Sequence, residues 1–151
     1  MQDQSNEKTK VNAARIRLIF HTLAAVLSLA GLAEATYLTV LYLTGETAVC
    51  GGSADCMQVL GSKYARIGPF PVAAFGALAY FSAFTFATFA AFGYARARTF
   101  FVAVVWGMFA ATLWLLFVQA FLLHAFCRYC LFSAAIIFLL AGLVVATPRS
   151  D

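Results

Sequence analysis

The chain has 151 residues, of which 64% are hydrophobic and only 11% are charged, and its formal net charge at pH 7 is +4. Soluble domains are typically about 45–50% apolar and about 25% charged, so this composition excludes that class and indicates an integral membrane protein. In such a protein, basic residues mainly determine the orientation in the bilayer, and we expect no nucleic-acid binding.

Four long apolar runs follow a polar N-terminal segment. Residues 1–15 predict a disordered cytoplasmic tail, because they are mainly polar. Each run reaches the roughly 20 residues that a helix needs to cross a bilayer. Residues 16–147 are therefore predicted to form an all-α, four-helix transmembrane bundle. The predicted spans cover about residues 16–43, 70–92, 99–123 and 127–146.

The only sizeable polar loop, residues 44–69, joins the first two predicted spans and contains Cys50 and Cys56. Its later part, residues 57–67, mixes apolar and basic side chains, which predicts a short helix lying at the membrane interface. The sequence Gly68-Pro69-Phe70-Pro71 then predicts a turn into the second span, with proline near the first helical position.

The number of spans and the basic residues predict the orientation. With four spans, the first and third connections lie on the same side, so Cys50 and Cys56 share a face with Cys127 and Cys130. Basic residues favour the cytoplasm. Seven flank the opposite face and three the cysteine face: Lys8, Lys10, Arg15, Arg17, Arg96, Arg98 and Arg149, against Lys63, Arg66 and Arg128. The termini are predicted to be cytoplasmic and the cysteines extracytoplasmic, where disulfide chemistry is normal.

A C-x-x-C motif, Cys127 to Cys130, begins the fourth predicted span. The N-terminus of a helix stabilises a thiolate, which is the species that performs thiol–disulfide exchange. The upstream pair, Cys50 and Cys56, is separated by a segment that includes two glycines, so it can pair internally or reach Cys127. This arrangement is typical of a relay in which electrons pass between dithiols through mixed disulfides.

Two other interpretations remain open. Four outward cysteines can form two inert disulfides, in a non-catalytic membrane binding or assembly module with a stapled loop. A C-x-x-C argues against this, because so short a loop contributes little closure entropy. A zinc site with nearby His124 is the second, but C-x5-C is wider than the usual ligand spacing, so we expect no metal. His124 can alternatively stabilise a thiolate or be an ordinary interfacial histidine.

These motifs resemble the vitamin K epoxide reductase (VKOR) family, over about Leu32 to Val145. The similarity rests on Cys50-x5-Cys56, on the segment VLGSKYA at residues 59–65, on Gly68-Pro69-Phe70-Pro71 and on the final C-x-x-C. Bacterial homologues, which have the shorter loop, are the most similar. The DsbB type of disulfide generator also has four spans and reduces quinone, but its C-x-x-C precedes the separated pair.

The resemblance implies a membrane thiol:quinone oxidoreductase of the bacterial inner membrane. It would reoxidise a thioredoxin-fold, DsbA-like protein and pass electrons to a quinone of the ubiquinone or menaquinone type, supporting disulfide formation in exported proteins. By the same resemblance, Cys50 meets the external protein, Cys56 exchanges with Cys127, and Cys130 is the quinone-side cysteine.

Two departures from the family pattern alter these expectations. Many bacterial relatives carry a thioredoxin-like domain after the fourth span, and its absence here leads us to expect a separate partner protein. Ala134 stands where the vertebrate enzymes have a tyrosine, four residues beyond the second cysteine, which argues against vitamin K epoxide as the substrate.

Two further residues are candidates for the quinone site. Ser62 matches a serine or threonine position near the quinone in the family, although it can equally be a turn or capping hydroxyl. Glu34 is the one carboxylate within a predicted span, where a charge costs at least ~2.5 kcal/mol. We expect Glu34 either to exchange protons with the quinone or to hydrogen-bond between helices.

Overall fold

The computed structural model describes residues 1–44, 58 and 62–147. Cys50, Cys56 and most of the predicted loop, together with Arg149, lie outside the described residues. The expected roles of these two cysteines are therefore predictions from the sequence alone.

Within the described residues the architecture is four helices, each long and apolar enough to cross a membrane. They are α1 (Gln2–Thr44), α2 (Val72–Ala91), α3 (Ala95–Phe117) and α4 (Arg128–Ala146). A π-helical turn, Val118–Leu123, extends α3. The prediction of an all-α, four-helix transmembrane bundle is confirmed.

Helix α1 is longer than the predicted span. It begins at Gln2, so the segment predicted as a disordered tail is helical, which corrects that prediction. Between residues 2 and 15 there is neither proline nor glycine, and most side chains are good helix formers. Because extending an existing helix is easier than nucleating one, the apolar part of α1 propagates through this polar segment.

The chain enters α2 through a small hairpin. After a 3₁₀ turn at Lys63–Ala65, strand β1 (Arg66–Ile67) pairs antiparallel with strand β2 (Phe70–Pro71). Residues 62–67 of the predicted interfacial helix thus form a turn and a strand instead. Gly68 adopts a φ of 62° at the hairpin turn, and the prolines at 69 and 71 disfavour helical conformation in the residues before them.

The helices pack in a ring, each against its neighbour in sequence, and α4 closes the ring against α1. Small residues such as Ala24, Ala35, Ala83 and Ala87 are buried between them, which lets the backbones approach closely, as membrane bundles require. Many large apolar side chains remain exposed on the outside, which suits lipid and would be a liability in water.

Helix α1 packs closely against α2 at Gly31. A Cβ atom at Gly31 would overlap the ring of Tyr80, which is 2% exposed. Glycine is therefore required here so that the tyrosine ring can lie against the backbone of α1.

Replacing Gly31 with alanine should destabilise the bundle by about 1–3 kcal/mol, because the buried Tyr80 ring must move. The matched control is Gly107→Ala, since a Cβ at Gly107 meets no atom within 4 Å. The control should be neutral or slightly stabilising, as alanine favours helix more than glycine. Unfolding in detergent measures both variants, and equal stability of the two would contradict the packing described.

Candidate active site

The segment between α3 and α4 positions Cys127. The π-helical turn ends at Leu123, and His124 then adopts a left-handed conformation with a φ of 51°. Cys127 is the N-cap residue of α4 and is fully buried. Its N–H donates to Oε1 of Gln119 at 3.1 Å, and its carbonyl accepts the N–H of Leu131 at 2.9 Å. Both backbone groups of Cys127 are therefore held in place.

The surroundings of Cys127 favour its thiolate. The hydrogen bond from the Cys130 thiol lowers the pKa of Cys127 to about 6, and burial opposes this effect without cancelling it. The backbone N–H groups of Cys130 and Tyr129 and the charge of Arg128 lower the pKa further. These donors belong to the first turn of α4, so the thiolate stabilisation expected at a helix N-terminus is present.

A cavity lies beside the C-x-x-C motif, with an empty volume of about 840 Å³ that is partly open to the outside. All four helices line it, mostly with apolar side chains. Cys130 is one of its lining residues, whereas Cys127 is not. The two cysteines therefore have different environments, and Cys130 is the one that a molecule in the cavity would meet.

Glu34 of α1 also lines the cavity. Both of its carboxylate oxygens are shielded from solvent and have no hydrogen-bond partner among the described residues. The carboxylate is close enough to Cys130 and to Tyr80 to interact electrostatically with both. A buried polar group without a partner is costly, and such exceptions require an explanation.

Tyr80 and Ser133 form a hydrogen-bonded pair at the cavity wall. The tyrosine hydroxyl lies 2.6 Å from the Ser133 hydroxyl and 3.2 Å from the Ser133 carbonyl oxygen. This pair joins α2 to α4 beside Cys130. No sequence motif had predicted Tyr80, Ser133 or Gln119 as site residues. For Gln119 a signal was available, because an amide in so apolar a run is costly unless it has partners.

The sequence profile of the Vitamin K epoxide reductase family matches residues 22–145, which is most of the chain. The chain belongs to this family. Comparison with curated proteins gives no significant match. VKOR-family proteins are membrane thiol–disulfide oxidoreductases that use quinones as electron acceptors and generally work with thioredoxin-like partners. The protein is accordingly an integral membrane protein of a thiol–disulfide oxidoreductase family.

The structure brings four of the residues predicted for a VKOR site to one place. Cys130, Glu34 and Ser62 line the cavity, and Cys127 adjoins Cys130. Ser62 precedes the 3₁₀ turn but makes no side-chain capping bond to it, so the alternative capping role is not observed. His124 is exposed at the connection before Cys127. Among the described residues, no three His, Cys, Asp or Glu side chains come together as they would around a metal.

The reduced protein should contain a thiolate at Cys127 that titrates near pH 6. Because the pKa is lowered, the thiolate is present above this pH and is protonated below it. The ultraviolet absorbance of the thiolate, measured against pH as wild type minus Cys127→Ser, isolates this group from the other cysteines. In Cys130→Ala the titration should move to higher pH, because the thiol that donates to Cys127 is gone. An unchanged midpoint would contradict the assigned cause.

Proposed function

We propose that this protein is a thiol:quinone oxidoreductase that reoxidises a thioredoxin-fold, DsbA-like protein and passes two electrons through its two cysteine pairs to a quinone. The product that matters is the disulfide introduced into exported proteins. The observation that carries the proposal is the position of Cys130, which lines a largely apolar cavity while its partner Cys127 lies outside the lining. A dithiol next to such a cavity can reduce a molecule that enters from the membrane.

The cavity fits a quinone head group, which is a flat apolar ring with two hydrogen-bond acceptors. Ligand sites are mainly apolar, with a few polar groups that fix orientation. This cavity has such a lining, and leucines at 38, 115, 116 and 123 supply much of its apolar surface. Ser62 and Gln119 supply hydrogen-bonding groups. The carboxyl group of Glu34, which has no hydrogen-bond partner among the described residues, can form a hydrogen bond with a ligand.

The proposed order of exchange is Cys50, Cys56, Cys127 and Cys130. Support for the middle step comes from Gln58, whose Nε2 donates to the carbonyl of Leu123 at 3.0 Å, just before the C-x-x-C segment. Cys56 precedes Gln58 by two residues in the sequence. The low pKa of Cys127 supports its role as the thiolate that is released from and attacks disulfides in exchange.

The proposed reaction is balanced in electrons and protons. Each exchange breaks one S–S bond and forms another, so the partner's dithiol becomes a disulfide and the Cys127–Cys130 pair becomes a dithiol. When that pair closes again into a disulfide, two electrons and two protons reach the quinone, which becomes a quinol. Cys130 is the sulfur that acts on the quinone, and Cys127 then attacks Cys130 to complete the disulfide.

Glu34 is proposed as the proton carrier of this step. It lines the same cavity as Cys130 and interacts with it electrostatically, so it can accept the proton of the Cys130 thiol and return a proton to the quinone side. Ser62 is proposed to hydrogen-bond the quinone. Both roles require only groups that the cavity already brings together.

We further propose that the protein lies in a bacterial inner membrane with residues 16–147 as its VKOR-like domain. Basic residues cluster near the start of α1 and at the start of α3, the ends remote from the cavity, which supports cytoplasmic termini and extracytoplasmic cysteines.

Purified protein in detergent, driven by a small dithiol, should reduce quinone, and Cys127→Ser and Cys130→Ser should each abolish quinol formation. Cys50→Ala should block reduction by a thioredoxin-fold protein but leave the small dithiol partly effective, because that reductant can act on the later cysteines directly. The measurement is quinone absorbance with each reductant. Normal turnover by Cys130→Ser would refute the mechanism, and equal loss with both reductants in Cys50→Ala would refute the relay order.

Replacing Glu34 with glutamine should lower the rate of quinone reduction by about 10²-fold, the lower limit for loss of a general acid or base. Glutamine keeps the size of the side chain but cannot carry the proton. The matched control is Glu7→Gln on the same helix, which removes an exposed carboxylate far from the cavity and should leave the rate unchanged. If Glu34→Gln turned over at the wild-type rate across pH, the carboxylate would have only a packing role.

A further inference from the structure

Gln119 is a buried amide at the boundary between the C-x-x-C segment and the cavity. Its side chain is 3% exposed, and it belongs to the π-helical turn that ends the third span. Its backbone carbonyl accepts the N–H of Ala125 at 3.1 Å, while its side chain meets the N–H of Cys127. The same residue also lines the cavity. It is thus in contact with the redox segment on one side and with the proposed quinone space on the other.

The contact with Cys127 fixes the orientation of the amide. A backbone N–H can only donate, so the side-chain atom that faces Cys127 must be the oxygen, Oε1. The nitrogen, Nε2, is then at the other end of the amide. Among the described residues it has no hydrogen-bond partner. Because Gln119 lines the cavity, a molecule bound there can supply the missing acceptor, whereas an acceptor alone would have served the N–H of Cys127.

We propose that Nε2 of Gln119 donates a hydrogen bond to a carbonyl oxygen of the quinone, while Oε1 holds the backbone of Cys127. This inference rests on the proposed function and names one residue that binds its electron acceptor. A quinone offers acceptors only, so a fixed donor in a largely apolar cavity orients the ring. As electrons arrive, negative charge develops on that oxygen, and a preorganised donor stabilises it.

The arrangement also couples the two halves of the site. The amide that would hold the quinone is the one that holds the backbone of Cys127, and Cys130 follows one helical turn later. The distance between quinone and cysteines would then be set by one side chain. A residue on a separate helix would leave that distance subject to movement between helices.

Binding can be tested without turnover in the Cys130→Ser background, which lacks the sulfur proposed to act on the quinone. The probe is 2,3-dimethyl-1,4-naphthoquinone, and the comparison ligand is 2,3-dimethylnaphthalene, which has the same rings but no carbonyl oxygens. Isothermal titration calorimetry in detergent measures the dissociation constants. We expect Gln119→Met to weaken quinone binding about 5- to 10-fold and to leave binding of the hydrocarbon unchanged.

Gln119→Glu is the second variant, since its carboxylate keeps an acceptor for the Cys127 N–H but has lost the donor. It should also weaken quinone binding and spare the hydrocarbon. The matched control is Gln4→Met, because Gln4 is an exposed amide near the start of α1, far from the cavity. It should bind both ligands as the Cys130→Ser parent does.

The outcomes separate this inference from the proposed function. Equal weakening for both ligands would show a change of cavity shape and would overturn the hydrogen bond, as would unchanged quinone binding in both Gln119 variants. If the Cys130→Ser parent itself bound no quinone and the wild type reduced none, the proposed function would fail. Quinone reduction by wild type with unaffected Gln119 variants would reject the role of Gln119 alone.

Discussion

The site depends on how the chain turns from its third helix into its fourth. Ala125 and Cys127 in this segment are buried, so their backbone N–H groups need partners within the protein. The π-helical turn and the side chain of Gln119 supply these partners for Ala125 and Cys127. As a result, the N-cap residue of α4, Cys127, is buried, and the first turn of the helix places one sulfur against backbone donors and the other against the cavity.

This placement gives different surroundings to two cysteines that are only three residues apart. Cys127 receives hydrogen bonds from the start of the helix and becomes the better thiolate. Cys130, one turn later, lies among apolar side chains and Glu34 at the cavity wall. The difference arises because Cys127 is the N-cap residue, next to the unpaired N–H groups of the first turn, whereas Cys130 lies within that turn and lines the cavity. These different surroundings suit the proposed roles of Cys127 in disulfide exchange and of Cys130 in reducing the quinone.

The four-helix bundle, with the C-x-x-C motif at the start of the fourth helix, was predictable from the sequence. Bilayer thickness and helix geometry leave few alternatives for four apolar runs. The cost of placing a charge within a span also predicted Glu34 as a candidate site residue. The π-helical turn was not predictable, because a single inserted residue leaves the apolar pattern of Trp114 to Leu123 almost unchanged. The bond of Tyr80 to Ser133 joins residues 53 apart, so only the folded structure brings them together. Residues 2–15 were predicted to be disordered because they are polar. Polarity alone does not indicate whether a helix extends into a segment from an adjoining span.

The length of α1 has a mechanical consequence. Its 43 residues extend about 65 Å, roughly twice the thickness of a hydrocarbon core. The basic side chains from Lys8 to Arg17 lie along its early turns, where they can contact phosphate headgroups. Sliding the helix inward would draw these charges into hydrocarbon, which is strongly opposed. Glu34 follows Arg17 by about 25 Å along the axis of this single helix, so headgroup contacts of the basic side chains would fix how deep the carboxylate lies in the bilayer.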